Sequence, residues 1–177
     1  TSGCSTVRNV TVNVTDIAII RDIAINDLND NNTVTVILET VSGSGFRYSL
    51  DKPNGPYQDS NVFQDVTPGP HTVYVYSTSG CGIVHRDIIV LGVPKFFTPN
   101  DDGNNDTWNI KGISADALPD CRIYVYDRYG KLITGINPKG RGWDGRFDGQ
   151  YMPATDYWYV VELGNGRTAK GHFSLVR

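Results

Sequence analysis

Apolar residues recur at every second position in short runs along the chain, and no window of 10 to 12 residues carries a capped helical stripe. Ile17, Ile19, Ile23 and Ile25 precede a turn at 27–32 built from Asn and Asp, whose side chains bond their own backbone. Val34, Val36 and Leu38 alternate with Thr33, Thr35 and Ile37, and Phe46, Tyr48 and Leu50 alternate with Arg47 and Ser49. The segment D-K-P-N-G-P at 51–56 is a strong turn signal. After Phe63 and Val66, Pro68-Gly69-Pro70 leads into Val73 and Val75, and a last strand ends at Leu91. Beyond Pro94 the alternation resumes. Ile123 and Val125 face one way and Tyr124 and Tyr126 the other, and Tyr129-Gly130-Lys131 turns the chain into Leu132-Ile133. Tyr157, Tyr159 and Val161 alternate with Trp158, Val160 and Glu162, and Phe173 and Leu175 mark the final strand. Short strands at spacings of about 8–12 residues predict an all-β chain made of β-sandwiches.

An internal repeat divides these strands. T-S-G-C stands at 1–4 and again at 78–81; with one residue of slack, Arg8, Asn9, Val10 and Val12 fall opposite Arg86, Asp87, Ile88 and Val90. A period near 77 residues suits a sandwich-sized unit. Chance likeness of two strands after a Gly turn is the other reading. The repeat predicts a closing strand of a preceding unit at 1–14, a whole unit at 15–92 and a different domain at 93–177. Charge changes at the same place: residues 1–92 carry 5 Lys and Arg against 9 Asp and Glu, and residues 93–177 carry 11 against 10.

Composition narrows the function classes. Abundant Thr, Val and 10 Tyr suit a pleated surface. A net charge of −3, with no basic stretch interleaved with aromatics, argues against nucleic acid as a partner. No apolar run approaches the roughly 20 residues of a membrane helix, and the abrupt start in strand-like sequence suggests the C-terminal piece of something longer. Cys4, Cys81 and Cys121 match neither a zinc site nor a redox pair. They read as buried single thiols, or as Cys4 or Cys81 bridged to an upstream cysteine.

Two stretches resemble known families. F-R-Y-S-L-D at 46–51, V-F-Q-D-V-T-P-G-P-H-T-V-Y-V at 62–75 and S-G-C at 79–81 resemble the immunoglobulin-like repeats of Bacteroidetes surface adhesins, which serve as spacers or binding modules. F-F-T-P-N-D-D-G-N-N-D at 96–106, C-R-I-Y-V-Y-D-R-Y-G-K-L-I at 121–133, W-D-G-R-F-D-G at 143–149, Y-M-P-A-T-D-Y-W-Y-V-V-E-L at 151–163 and K-G-H-F-S-L-V-R at 170–177 resemble the gliding-motility-associated C-terminal domain, the type B sorting domain of type IX secretion substrates. Tyr126-Asp127-Arg128-Tyr129-Gly130 departs from that family's usual aromatic-Asn-Arg-Trp-Gly turn, and Pro153 to Tyr157 departs from its small Gly-containing approach. The resemblance implies two tandem immunoglobulin-like β-sandwich domains, non-catalytic, secreted and held at the cell surface. It implies that a type IX translocon reads the domain and that a companion barrel-like outer-membrane protein of the gliding-adhesin family holds it, so that membrane contact is indirect.

Candidate chemistry is sparse. Asn100, Asp101, Asp102, Asn104 and Asp106 place hard oxygens around Gly103, as a calcium loop would, while a solvated Asx turn needs the same residues. No cofactor is otherwise called for. Asp144 reads as a turn residue with Trp143 as a core plug. Arg128 reads as pairing with a carboxylate such as Asp127 or Asp148, or as reaching a partner. His71, His85 and His172 lack metalloprotease spacing, and no nucleophile elbow or phosphate cradle is present, which argues against an enzyme. The partner-binding candidates are the terminal residues Lys170, Gly171, His172, Phe173, Ser174, Leu175, Val176 and Arg177. They would add a sheet-edge strand to a partner or enter a barrel mouth, unless they close the sandwich from inside. A rival reading makes 15–92 a glycan-binding accessory module of a secreted hydrolase, with Tyr48, Tyr57, Tyr74 and Tyr76 as an exposed platform.

Overall fold

A computed structural model describes residues 6, 8, 17–39, 45–78, 82–113, 120–164 and 166–177. The expected closing strand at 1–14, apart from Thr6 and Arg8, and both T-S-G-C copies, apart from Thr78, lie outside these residues, as do Cys4 and Cys81. The described residues are all-β. Among them no helix is long and apolar enough to cross a membrane.

The first half holds six strands: β1 (Ile20–Asn26), β2 (Thr33–Leu38), β3 (Phe46–Leu50), β4 (Val62–Phe63), β5 (Gly69–Ser77) and β6 (Ile83–Val90). They form two antiparallel three-stranded sheets, ordered β1-β2-β4 and β3-β5-β6. Val34, Val36 and Phe63 from one sheet pack with Tyr48, Val73, Val75 and Val90 from the other, so alternation buries one face of each sheet. β1 departs from simple alternation. Ile17 and Ile19 are exposed, while Ala18 and Ile20 are buried. A register shift between Ile20 and Asp22 then resets the inward phase, as a bulged residue does. Ser49 is also buried beside Tyr48, its hydroxyl donating to the Lys52 carbonyl at 2.8 Å.

The second half holds β7 (Phe96–Phe97), β8 (Arg122–Tyr126), β9 (Leu132–Ile136), β10 (Arg146–Phe147), β11 (Gln150–Tyr151), β12 (Asp156–Glu162) and β13 (Thr168–Leu175). Five make one sheet, ordered β7-β13-β12-β8-β9, and β10 pairs with β11. Ile123, Val125, Tyr157, Tyr159, Val161, Phe173 and Leu175 line its inner face. Trp108 and Trp143, joined by an antiparallel bridge, cover it from the opposite layer. Trp108 is fully buried, stacks on Phe173 with ring centroids 3.8 Å apart, and its indole N–H donates to the Pro94 carbonyl at 2.8 Å.

The two halves are clamped together. Asp27, in the turn after β1, has a side chain only 2% exposed. Its Oδ2 accepts from the Leu91 amide at 2.9 Å, and its Oδ1 takes the Arg167 guanidinium from the turn before β13. Leu28 packs against the second core and donates its amide to the Leu91 carbonyl at 3.2 Å. Lys95 and Asp30 pair at 3.0 Å on the surface beside it. A buried carboxylate is tolerated only when its charge and lone pairs are met, and here both halves of the chain meet them.

Candidate functional site

β13 closes the second core. Phe173 and Leu175 are 0% and 2% exposed. Gly171 lies opposite Tyr159, and a Cβ there would sit 2.6 Å from the Tyr159 hydroxyl and 2.8 Å from its ring. The Ser174 hydroxyl donates to Asp156 at 2.6 Å. β13 is not an edge strand at its C-terminal end. β12 flanks it on one side and β7 on the other, where the Ser174 and Val176 amides donate to the Lys95 and Phe97 carbonyls at 2.9 and 3.0 Å. Arg177 is tied back as well. Its guanidinium donates to the Met152 and Gly145 carbonyls and lies 4.8 Å from the centre of the Tyr151 ring.

The terminal candidates therefore divide into core and surface. Lys170 and His172 point outward and Val176 is 45% exposed. On the outer face His172 lies opposite Trp158, with ring centroids 6.3 Å apart, and Lys170 lies opposite Val160. Trp158 lies opposite Tyr126 on β8, and Val160 opposite Tyr124. Trp158 is 42% exposed. An indole half open to water on a sheet face is a feature that sequence reading did not single out; its alternation with buried Tyr157 and Tyr159 was the available signal.

Arg128 sits apart from these residues, in the turn between β8 and β9. It lies 5.3 Å from the centre of the Tyr129 ring and pairs with neither Asp127 nor Asp148. Asp127 instead holds that turn, its Oδ1 accepting from the Tyr129 and Lys131 amides at 2.8 and 2.9 Å. Asp144 plays the same part for Arg146, at 3.1 Å, and Trp143 is the buried plug above it.

In the Asn- and Asp-rich loop, oxygens turn toward the loop's own amides. Asp106 accepts from Asn100, Asp101 and Gly103 at 3.1, 2.7 and 2.7 Å. Asp102 accepts from the Asn104 amide at 2.7 Å and from the Asn100 side-chain amide at 2.9 Å, and Asn100 Oδ1 accepts from the Asp102 amide at 3.3 Å. The Asn100 and Asn104 bonds hold the Asp102 carboxyl below the ordinary 3.8. Positive φ at Asp101, Gly103 and Asn105 fits the residues placed there. Among the described residues no three His, Cys, Asp or Glu side chains are grouped as a metal ion would need. These bonds make the loop an Asx turn.

Tyr48 is buried, so it cannot belong to an exposed aromatic platform; Tyr57, Tyr74 and Tyr76 are half-buried, with Tyr57 and Tyr76 centroids 5.7 Å apart.

Residues 91–175 match the family described as CHU_C Type IX secretion signal domain. No curated protein matches the chain. Several solved structures are distantly similar, three of them as follows. A biofilm associated protein, BSP domain, is 11% identical, with a TM-score of 0.32 over 89% of this chain and 30% of that one. The three N-terminal domains of the bacteriophage RB49 highly immunogenic outer capsid protein are 15% identical, with a TM-score of 0.32 over 90% of this chain and 59% of that one. The 47-kilodalton lipoprotein of Treponema pallidum, Tp47, is 11% identical, with a TM-score of 0.29 over 96% and 53%. The chain spans less than two thirds of each, and likenesses this distant carry no functional inference.

Proposed function

We propose, from the premise that residues 91–175 are a type IX secretion signal domain, that this region both directs export and holds the secreted protein at the outer membrane. A domain of this family marks its protein for the type IX machinery and for the cell surface. The finer reading is that a companion barrel-like outer-membrane protein captures the domain, that the upstream immunoglobulin-like unit is a spacer or adhesive module, and that the whole serves gliding or adhesion. The family match carries the reading. The outer face of β12 and β13 supplies the surface: Trp158, His172 and Lys170 are exposed on a sheet whose inner face is closed. Tryptophan is among the residues enriched at interface hot spots. No catalysis enters this mechanism.

The test is retention at the surface. A neutral passenger fused to the whole 177-residue chain is expressed in a type IX-competent gliding host, with and without the companion. Trp158→Ala, His172→Ala and Lys170→Glu are compared after their thermal unfolding is matched to the parent. Surface retention that falls in the companion-less strain and in these variants supports the reading. Retention unchanged in both removes the companion and the outer face from the account. Deleting Phe173 to Arg177 would not discriminate, because Phe173 and Leu175 are core residues.

A further inference from the structure

We infer that the free edge of β9 is a second docking site, which takes an extended, carboxylate-bearing segment of a partner protein as an added strand. β9 ends the five-stranded sheet, with β8 on one side and no strand of the described residues on the other. The register decides which backbone groups face outward. The Ser174 amide points to β7, so Gly171 and Tyr159 exchange bonds between β13 and β12. By the same alternation Trp158 and Val160 bond Tyr126 and Tyr124, and Ile123 and Val125 bond Ile136 and Thr134. That leaves the N–H and C=O of Gly135 facing away from the sheet. Among the described residues only the Thr134 hydroxyl approaches that carbonyl, at 3.3 Å.

Beside this edge lies an open groove of about 420 Å³, lined by Thr134–Asn137 and by Gly140–Asp144 with Arg146. Gly135 is not demanded by the fold. Its φ is not in the left-handed region, and an added Cβ would meet only the Ile123 carbonyl, at 3.9 Å. A glycine within a strand often marks close approach by another backbone.

Charge identifies the occupant. Residues 128–146 carry Arg128, Lys131, Lys139, Arg141 and Arg146 against a single carboxylate, Asp144, a net of +4 within a chain of net −3. Arg128, Lys131, Lys139 and Arg141 have no carboxylate partner among the described residues. β9 itself carries no charge, so the cations flank the strand instead of studding it as edge-protecting lysines do. Leu132, 49% exposed, adds an apolar contact at one end. Main-chain bonds to an edge give affinity and flanking side chains give selectivity.

The test uses the whole chain, ¹⁵N-labelled, titrated with an acetylated octapeptide alternating Glu and Val, and with its Lys-for-Glu counterpart. The Glu peptide is expected to shift the Gly135 amide and its neighbours, and to bind about tenfold or more tightly than the Lys peptide. Gly135→Pro, which removes an outward N–H and no ladder bond, should weaken binding about tenfold or more, while Gly135→Ala stays within about twofold. Should the proline variant fail to fold, Lys139→Glu with Arg141→Glu must produce the loss. Equal affinity for both peptides, shifts elsewhere, no binding, or indifference to these substitutions overturns the inference and leaves a merely solvated edge. The titration contains no secretion step, so its failure leaves the transport reading intact.

Discussion

Replacing Asp27 by Ala removes the clamp between the two halves of the molecule, and its cost can be worked from two contacts. The Leu91 amide loses its acceptor in a place where Leu91 is 2% exposed. An orphaned buried amide costs about 1–3 kcal/mol. The ion pair with Arg167 is also lost; because that guanidinium is 47% exposed, water screens it and its share is about 1 kcal/mol. The sum is roughly 2–4 kcal/mol, or about 5–15 °C in Tm for a chain of this length. Asp27→Asn keeps an acceptor for Leu91 and should cost about 1 kcal/mol. The assay exploits tryptophan placement: all three, Trp108, Trp143 and Trp158, lie in the second half. Fluorescence therefore reports that half alone, while far-ultraviolet circular dichroism reports both. The clamp predicts that Asp27→Ala, made in the first half, lowers the fluorescence midpoint, and that Arg167→Ala adds less on this background than alone. A fluorescence midpoint that stays put, or strictly additive costs, would refute the coupling.

Four further outcomes follow from the geometry. Gly171→Ala should destabilise by about 1–3 kcal/mol, because Tyr159 is 6% exposed and held 5.4 Å from the Trp108 ring, with nowhere to retreat; urea unfolding at an unchanged midpoint would contradict this. The Asp102 carboxyl is depressed by its bonds to Asn100 and Asn104, so whatever it contributes is complete above pH 3.8 and lost as pH falls through its lower folded value. The Asn104 amide shift should titrate below 3.8, and a midpoint at or above that value sinks the argument. Burial raises the Cys121 thiol, so it should resist a disulfide reagent at pH 8 until the chain is unfolded; prompt native labelling at Cys121 would be the contrary result. Millimolar calcium should leave the Asn100–Asp106 amide spectrum and the Tm unchanged, since among the described residues no three His, Cys, Asp or Glu side chains are grouped as a metal ion would need; a saturable shift would restore the ion.

Much of the sandwich was legible because period-2 alternation is a local signal. Val34 and Val36, Val73 and Val75, Ile123 and Val125, and Tyr157, Tyr159 and Val161 all bury the face that alternation assigned them. The bulge at β1 was not legible, since an extra residue inverts the phase without changing composition; exposed Ile17 and Ile19 look as apolar as core residues. Asp27 read as one more turn residue among Asn and Asp, and its burial depends on Arg167, 140 residues away. Trp108 sat unremarked at the end of a polar loop, yet it stacks on Phe173 at the centre of the second core. For the terminal segment, the sequence marked the residues without saying which of them reach solvent. That division follows from pairing on both sides of β13, a tertiary fact.

The central claim is that the second half carries an export address, and the most direct measurement is where a passenger goes. The passenger fused to the whole chain is followed by protease accessibility on intact cells, in a type IX-competent host and in the same host lacking the translocon. The account predicts protease-sensitive passenger on the competent cells and protected, periplasmic passenger in the mutant. A passenger that is periplasmic in both strains, or exposed in both, would contradict it.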